Sequence, residues 1–106
     1  MTNLRIHPEV ADDLAKAAEW YREIDPELAE SFLEEVYRSI ELARATPEHH
    51  SRIHREYRRV LCERFPFKVV FEIVEAAQAV HILAVTHTSR HPDWWKRRIQ
   101  GDFRHS

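Results

Sequence analysis

RRVLCERFPFKVVFEIVEAAQAVHILAVT, residues 58–86, holds three runs of β-branched and aromatic residues separated by two breaks. The first break is Arg64-Phe65-Pro66-Phe67. Its proline has a fixed φ and no N–H to give a ladder, which suits a turn between strands. The second is Val74-Glu75-Ala76-Ala77-Gln78, a short polar and small-residue step before Val80. Between the breaks Phe67, Val69, Phe71 and Ile73 alternate with Lys68, Val70 and Glu72, the period-2 pattern of a strand with one buried face. Three successive strands with short connections form an antiparallel meander.

Upstream, Leu4-Arg5-Ile6 is a short candidate strand, and Pro8 fits the first position of a helix, where its missing N–H costs nothing. Val10, Leu14, Ala17, Ala18 and Tyr21 follow at helical spacing, with Asp12, Asp13, Lys16, Glu19 and Glu23 on the other side. Asp25-Pro26 repeats the device, an N-cap aspartate before a helix-starting proline. A second stripe runs through Leu28, Ala29, Phe32, Leu33, Val36, Ile40 and Ala43 and stops near Thr46-Pro47. Helices are therefore expected at about 8–24 and 26–46. With almost no loop between them they form an αα-hairpin whose stripes need the sheet for cover. Residues 47–56, PEHHSRIHRE, read as a polar loop.

Downstream of the meander come His87-Thr88-Ser89-Arg90-His91, then Pro92 and a short basic helix over 93–100, with Gly101 placed as its C-cap. The order β-α-α-β-β-β-α predicts an α+β fold: an N-terminal α-hairpin packed on an antiparallel β-sheet. Phe32, Leu33, Val36, Val69, Phe71 and Leu83 should lie between the two layers. The length suits a single domain spanning 1–106.

Composition narrows the classes. Hydrophobic content of 43% with one Gly and five Pro is ordinary globular usage. The single Cys62 cannot form an intramolecular disulfide, which fits a reducing cytoplasm and a small buried thiol. Acidic residues stand where a signal peptide would carry its apolar core, and no apolar run approaches membrane-spanning length. Residues 1–50 carry five Lys or Arg against twelve Asp or Glu, a balance of −7, whereas residues 51–106 stand at +5. The chain is bipolar. Its pI near 6.4 argues against tight, unaided nucleic-acid binding.

Arg58-Arg59 leading through a strand into Arg64-Phe65-Pro66-Phe67, then an apolar strand ending in His87-x-x-Arg90-x-Pro92-x-x-Trp95, is a distinctive set. With Glu19-Trp20-Tyr21 and Phe32-Leu33 in the helices, it resembles the RelE/ParE superfamily of toxins from type II toxin–antitoxin modules, also called plasmid stabilisation proteins. The resemblance spans about Ile6 to Arg98. It implies a compact, growth-inhibiting toxin held by a cognate protein antitoxin. Members of the superfamily divide into RelE-like proteins, which cleave messenger RNA on the ribosome without metal, and ParE-like proteins, which poison DNA gyrase.

Metal-free RNA cleavage needs a base for the 2′-hydroxyl and cations for the in-line phosphate. His87 is suited to the first task, and Arg90 to the second, with its planar fork. Arg64, at the hairpin, is a further candidate. Lys68 stands, by register after the hairpin, where the resemblance implies a key arginine in RelE-like nucleases, and it keeps the charge without the bidentate geometry. Arg58, Arg59, Trp94 and Trp95 are candidate contacts to a bound target, the tryptophans by stacking on bases. Each has a plainer reading. His87 can cap a strand end through a backbone hydrogen bond, Arg90 can pair with an acidic helix, and Trp95 can be core with Trp94 the more exposed.

Other chemistries find little support. His50-x-x-x-His54 and His87-x-x-x-His91 converge only on a helix, and neither pair is expected on one, so no metal is assigned. Ser31, Ser39, Ser51, Ser89 and Ser106 lack any nucleophile-elbow context, and one glycine cannot build a phosphate loop. No cofactor is implied. Three readings stand: a poison that binds DNA gyrase or a similar target, a ribosome-dependent endoribonuclease, and a decayed toxin kept as a binding module. The near-neutral charge and Lys68 favour the first, the His87 and Arg90 cluster the second.

Overall fold

A computed structural model describes the backbone of residues 2–104 and the side chains of residues 2–99. Among these, five strands and three α-helices follow in the order β1 (Asn3–Ile6), α1 (Val10–Ile24), α2 (Pro26–Ala45), β2 (Arg52–His54), β3 (Tyr57–Leu61), β4 (Phe67–Val74), β5 (Ala79–His87) and α3 (Asp93–Arg104). Short 3-10 turns occupy Pro47–His49 and Glu75–Ala77.

Local chemistry sets the helix starts. Asp25 caps α2 by accepting the Glu27 N–H at 3.0 Å, with Pro26 in the first turn. At α1 the N-cap is Glu9, without a side-chain cap bond; His7 Nδ1 accepts the Glu9 N–H at 3.1 Å, which holds Pro8 in the entry turn before the helix starts at Val10. The stripes of α1 and α2 bury Val10, Leu14, Ala18, Tyr21, Phe32, Val36 and Ile40 against Val69, Phe71, Val80 and Ile82 of the sheet. Phe32 and Phe71 are fully buried, as an α-hairpin over a meander requires, while Leu33 is only partly so. Tyr21, Phe32, Phe65 and Phe67 form a close aromatic group, with ring centroids 4.8–5.5 Å apart for Phe32–Phe67, Tyr21–Phe32 and Phe32–Phe65. This clamps the β3–β4 turn beneath both helices.

The α+β layering and the element order match expectation, with four differences in detail. Sheet order is β1-β5-β4-β3-β2, and β1 runs parallel to β5, so the sheet is mixed. A strand that must pass through two helices before its partner arrives can join it in parallel, and periodicity says nothing of direction. The expected loop at 47–56 contains the 3-10 turn and β2, which pairs antiparallel with β3 across an irregular register. The third helix continues through Gly101 to Arg104.

The fourth difference is the largest. A bulge shifts the β4–β5 register, so that Val70 faces Ala84 and Phe71 faces Ile82, leaving Leu83 as the extra residue. Two consecutive apolar residues, Leu83 and Ala84, then point away from the α-hairpin. They join Val70, Trp95 and Ile99 in a second core on the opposite sheet face. Leu83 is buried, but under α3. The molecule is thus three layers, and β5 is covered on both sides. Cys62 is half-buried just after β3, with Sγ 3.6 Å from Ser39 Oγ, and burial pushes its thiol pKa up.

Candidate functional site

Where β5 ends, the chain turns tightly. Arg90 N–H donates to the His87 carbonyl at 3.1 Å, and Thr88 N–H donates to the Pro66 carbonyl at 2.8 Å, which ties this turn to the β3–β4 turn. Ser89 closes the inside: its backbone N–H donates to His87 Nδ1 at 3.1 Å, and its hydroxyl lies 2.7 Å from the same nitrogen. A nitrogen that accepts a backbone N–H carries no proton, so the neutral His87 ring holds its hydrogen on Nε2. His91 repeats the device at the start of α3, accepting the Asp93 N–H at 3.2 Å. Three His-x-x turns, at His7, His87 and His91, are built alike.

The next residues face a cleft of about 390 Å³ between α1, the end of β5 and α3, lined by His87, Arg90, Trp94, Arg98, Asp13 and Lys16 among others. Trp94 is fixed by its Nε1–H, which donates to Thr86 Oγ1 at 3.1 Å. The guanidinium carbons of Arg90 and Arg98 lie over this indole, 4.2 Å and 4.6 Å from its centroid. Arg90 is exposed, and no carboxylate is paired with it among the described residues.

Arg98 is engaged differently. It forks onto Asp13 at 2.8 and 3.0 Å, reaches Glu9 at 3.4 Å, and donates to the Leu83 carbonyl at 3.1 Å. Asp13 in turn accepts the Val85 N–H at 3.1 Å. Because β1 ends opposite Ile82, β5 has no outer strand beyond that point, and this ion pair satisfies its open edge.

The remaining candidates lie elsewhere. Lys68 pairs across the strands with Thr86, and Phe67 with His87. Directly opposite residues share a face and neighbours alternate, so Lys68 lies on the α3 face of the sheet and His87 on the α-hairpin face, where its ring meets Phe67 edge-on at 5.3 Å. Burial, then the nearby Arg59 charge, lowers the Lys68 pKa. Arg59 is half-buried on that same α3 face. Arg58 donates to the His50 carbonyl at 2.7 Å and lines a separate cleft at the far end of the sheet with Glu48, Arg52, Glu56 and Glu75. Trp95 is core at 2% exposure and Trp94 half-buried.

Arg64 leans on Glu35 of α2. The Arg64 N–H, the Phe65 N–H and Arg64 Nε all donate to this carboxylate, at 2.8, 3.3 and 3.2 Å. Burial opposes its ionisation, but these amides and the guanidinium outweigh it and hold the Glu35 pKa below the usual range. Of the eight sequence candidates, the structure therefore brings His87, Arg90 and Trp94 to one cleft and leaves Arg58, Arg59, Arg64, Lys68 and Trp95 off it. Sequence reasoning missed Asp13, Glu35 and Arg98. For Asp13 and Glu35 the signal was a charge lodged inside a helical apolar stripe; Arg98, in a basic helix, had none. Among the described residues, no group of three or more His, Cys, Asp or Glu side chains is placed to hold a metal ion, and no helix is long and apolar enough to cross a membrane.

The sequence model for the ParE toxin of the type II toxin–antitoxin system parDE matches residues 4–92. No curated protein matches the chain. Among solved structures it is similar to a chain of the chromosomal ParDE system of P. aeruginosa, with 18% identity and a TM-score of 0.73 over 84% of this chain and 98% of that one. A mutant of the E. coli toxin RelE in the free state has 8% identity and a TM-score of 0.62 over 94% and 96%. The RelBE2 toxin–antitoxin complex of Mycobacterium tuberculosis gives 17% identity and a TM-score of 0.53 over 81% and 96%. At these identities the likeness carries the fold alone.

Proposed function

The chain belongs to the ParE toxin family of type II toxin–antitoxin systems, and from that premise we propose that it acts by binding and poisoning an essential target such as DNA gyrase. A cognate protein antitoxin neutralises it, by analogy with the P. aeruginosa and M. tuberculosis systems. Both partners would be met in the cytoplasm. The supporting observation is the placement of His87. Its Nδ1 is occupied by Ser89, and Lys68 lies on the opposite face of the sheet, so Lys68 does not join His87 at one phosphate. With Nδ1 accepting the Ser89 N–H, the ring keeps no free lone pair to take a 2′-hydroxyl proton.

The ribosome-dependent, metal-independent endoribonuclease reading keeps one observation in its favour: His87, Arg90 and Trp94 line a single cleft. Expression of the chain without antitoxin separates the two. Poisoning predicts DNA damage with intact transcripts, and His87→Ala, folded by thermal melting, should remain as toxic as the parent. Transcripts cut at codons, together with a ~10²–10⁴-fold loss of cleavage in His87→Ala, would overturn the proposal.

A further inference from the structure

Beside the Arg90 cleft lies a second, apolar one of about 270 Å³, lined by Ala17, Trp20, Tyr21, Pro66, Phe67 and His87. The two share Ala17, Phe67 and His87 as a common wall. Trp20 stands at its rim 61% exposed, packed edge-on against Tyr21 at 5.1 Å. The exposed indole and the apolar hollow beside it form adjacent apolar surface that one docked side chain can cover. Its floor is rigid, because Phe67 belongs to the aromatic clamp and Pro66 holds the Thr88 N–H. On the other side of the wall, the exposed Arg90 has its guanidinium carbon over the Trp94 ring at 4.2 Å, and no acid is paired to it among the described residues. The α1 acids nearby are engaged, Asp12 by Lys16 at 3.0 Å, and Asp13 and Glu9 by Arg98. The site therefore presents, in sequence, an apolar hollow, a shared wall and a cation with no paired acid among the described residues.

We propose that this double cleft docks a protein segment carrying an aliphatic or aromatic side chain and a carboxylate two residues apart: the first fills the Trp20–Phe67 hollow, the second takes Arg90. In an extended segment, residues i and i+2 project to the same side, so one segment can address two clefts that share a wall. Charge complementarity selects the acid, since a stacked guanidinium binds a carboxylate bidentately and loses little freedom in doing so. The Nε2–H of His87 adds a donor at the boundary. This deepens the reading of the chain as a protein that works by binding, and its test reads the cleft alone, independent of toxicity or target.

The test uses the full chain, labelled with ¹⁵N, and three probes: acetyl-Leu-Ala-Glu-amide, acetyl-Leu-Ala-Gln-amide and acetyl-Ala-Ala-Glu-amide. The indole N–H signals of Trp20 and Trp94 should shift saturably with the first probe, and that of buried Trp95 should stay and report an intact fold. Both control peptides should bind about tenfold more weakly or worse, and so should the first peptide to Trp20→Ala or to Arg90→Gln. Equal binding of the glutamine peptide removes the carboxylate from the proposal and overturns it. So does a Trp20 signal that never moves, or the lack of a saturable shift at any attainable peptide concentration.

Discussion

Helices α1 and α2 each carry one carboxylate within the apolar stripe, and the two are used differently. Asp13 meets its arginine in the interior: Asp13 and Arg98 both keep only 9% side-chain exposure, and the contact is a two-pronged fork. Glu35 is just as buried, at 5%, but its partner Arg64 is 62% exposed. What Glu35 serves is backbone, the two amide N–H groups of the β3–β4 turn. Asp13 is a charge answered by a charge across three elements. Glu35 is an acceptor lent to a turn, with the arginine as an accessory. A buried carboxylate therefore says little by itself, and the exposure of its partner decides which kind it is.

That contrast ranks the expected effects. Arg98→Ala leaves Asp13 charged and buried without its counter-ion and also strips a donor from the Leu83 carbonyl. A loss of ~3–5 kcal/mol is expected, read as the free energy of unfolding in urea. A loss below ~1 kcal/mol would mean the pair is not the strut between α1, β5 and α3. Glu35→Ala removes the acceptor from two turn amides and should cost ~1–3 kcal/mol. Its effect should centre on residues 63–67, seen as faster amide hydrogen exchange there than in α3.

The pH dependence sharpens the same comparison. The folded Glu35 pKa is lowered, so its contribution is present above the ordinary glutamate value of ~4.3 and lost as pH falls through the lower folded value. Glu35→Gln should flatten the acid limb of Tm against pH in that window and leave the slope above about pH 6 unchanged. An unaltered acid limb would show that the amides do not hold the ionised form. The smallest effect belongs to Arg64→Ala. With its guanidinium mostly in solvent, the change should cost ~0–1 kcal/mol, and a melting curve close to the parent's is expected.

Much of this architecture was readable from residue spacing. The stripes of α1 and α2 and the strand around Phe67–Val74 follow from periods of 3.6 and 2.0, and the Asp25-Pro26 cap from residue type. Leu83 escaped because a bulge adds one residue, and every inference of facing beyond it flips. β2 escaped because three residues, Arg52–His54, are too few to show a period. In the candidate site, His87, Arg90 and Trp94 were legible as an adjacent cluster at a strand end. Arg98 was not, since a basic residue in a basic helix looks like solvated surface until Trp94, Trp95 and Ile99 are seen to share its side. Lys68 and His87 fell on opposite faces for a plain reason: the chain brings them to one end of the sheet, and strand parity then separates them.

The parallel seat of β1 on β5 has a kinetic consequence. Asn3 registers with Ala79 and Ile6 with Ile82, pairs drawn from almost opposite ends of the chain. Such contacts close long loops and raise contact order, so they slow the search for the folded state. On a ribosome β1 and the α-hairpin emerge early, and β1 has no partner until β5 appears. The strand that completes the sheet is also the one that ends at His87. The cleft is therefore assembled last, when Arg90, Trp94 and Arg98 follow that strand into place.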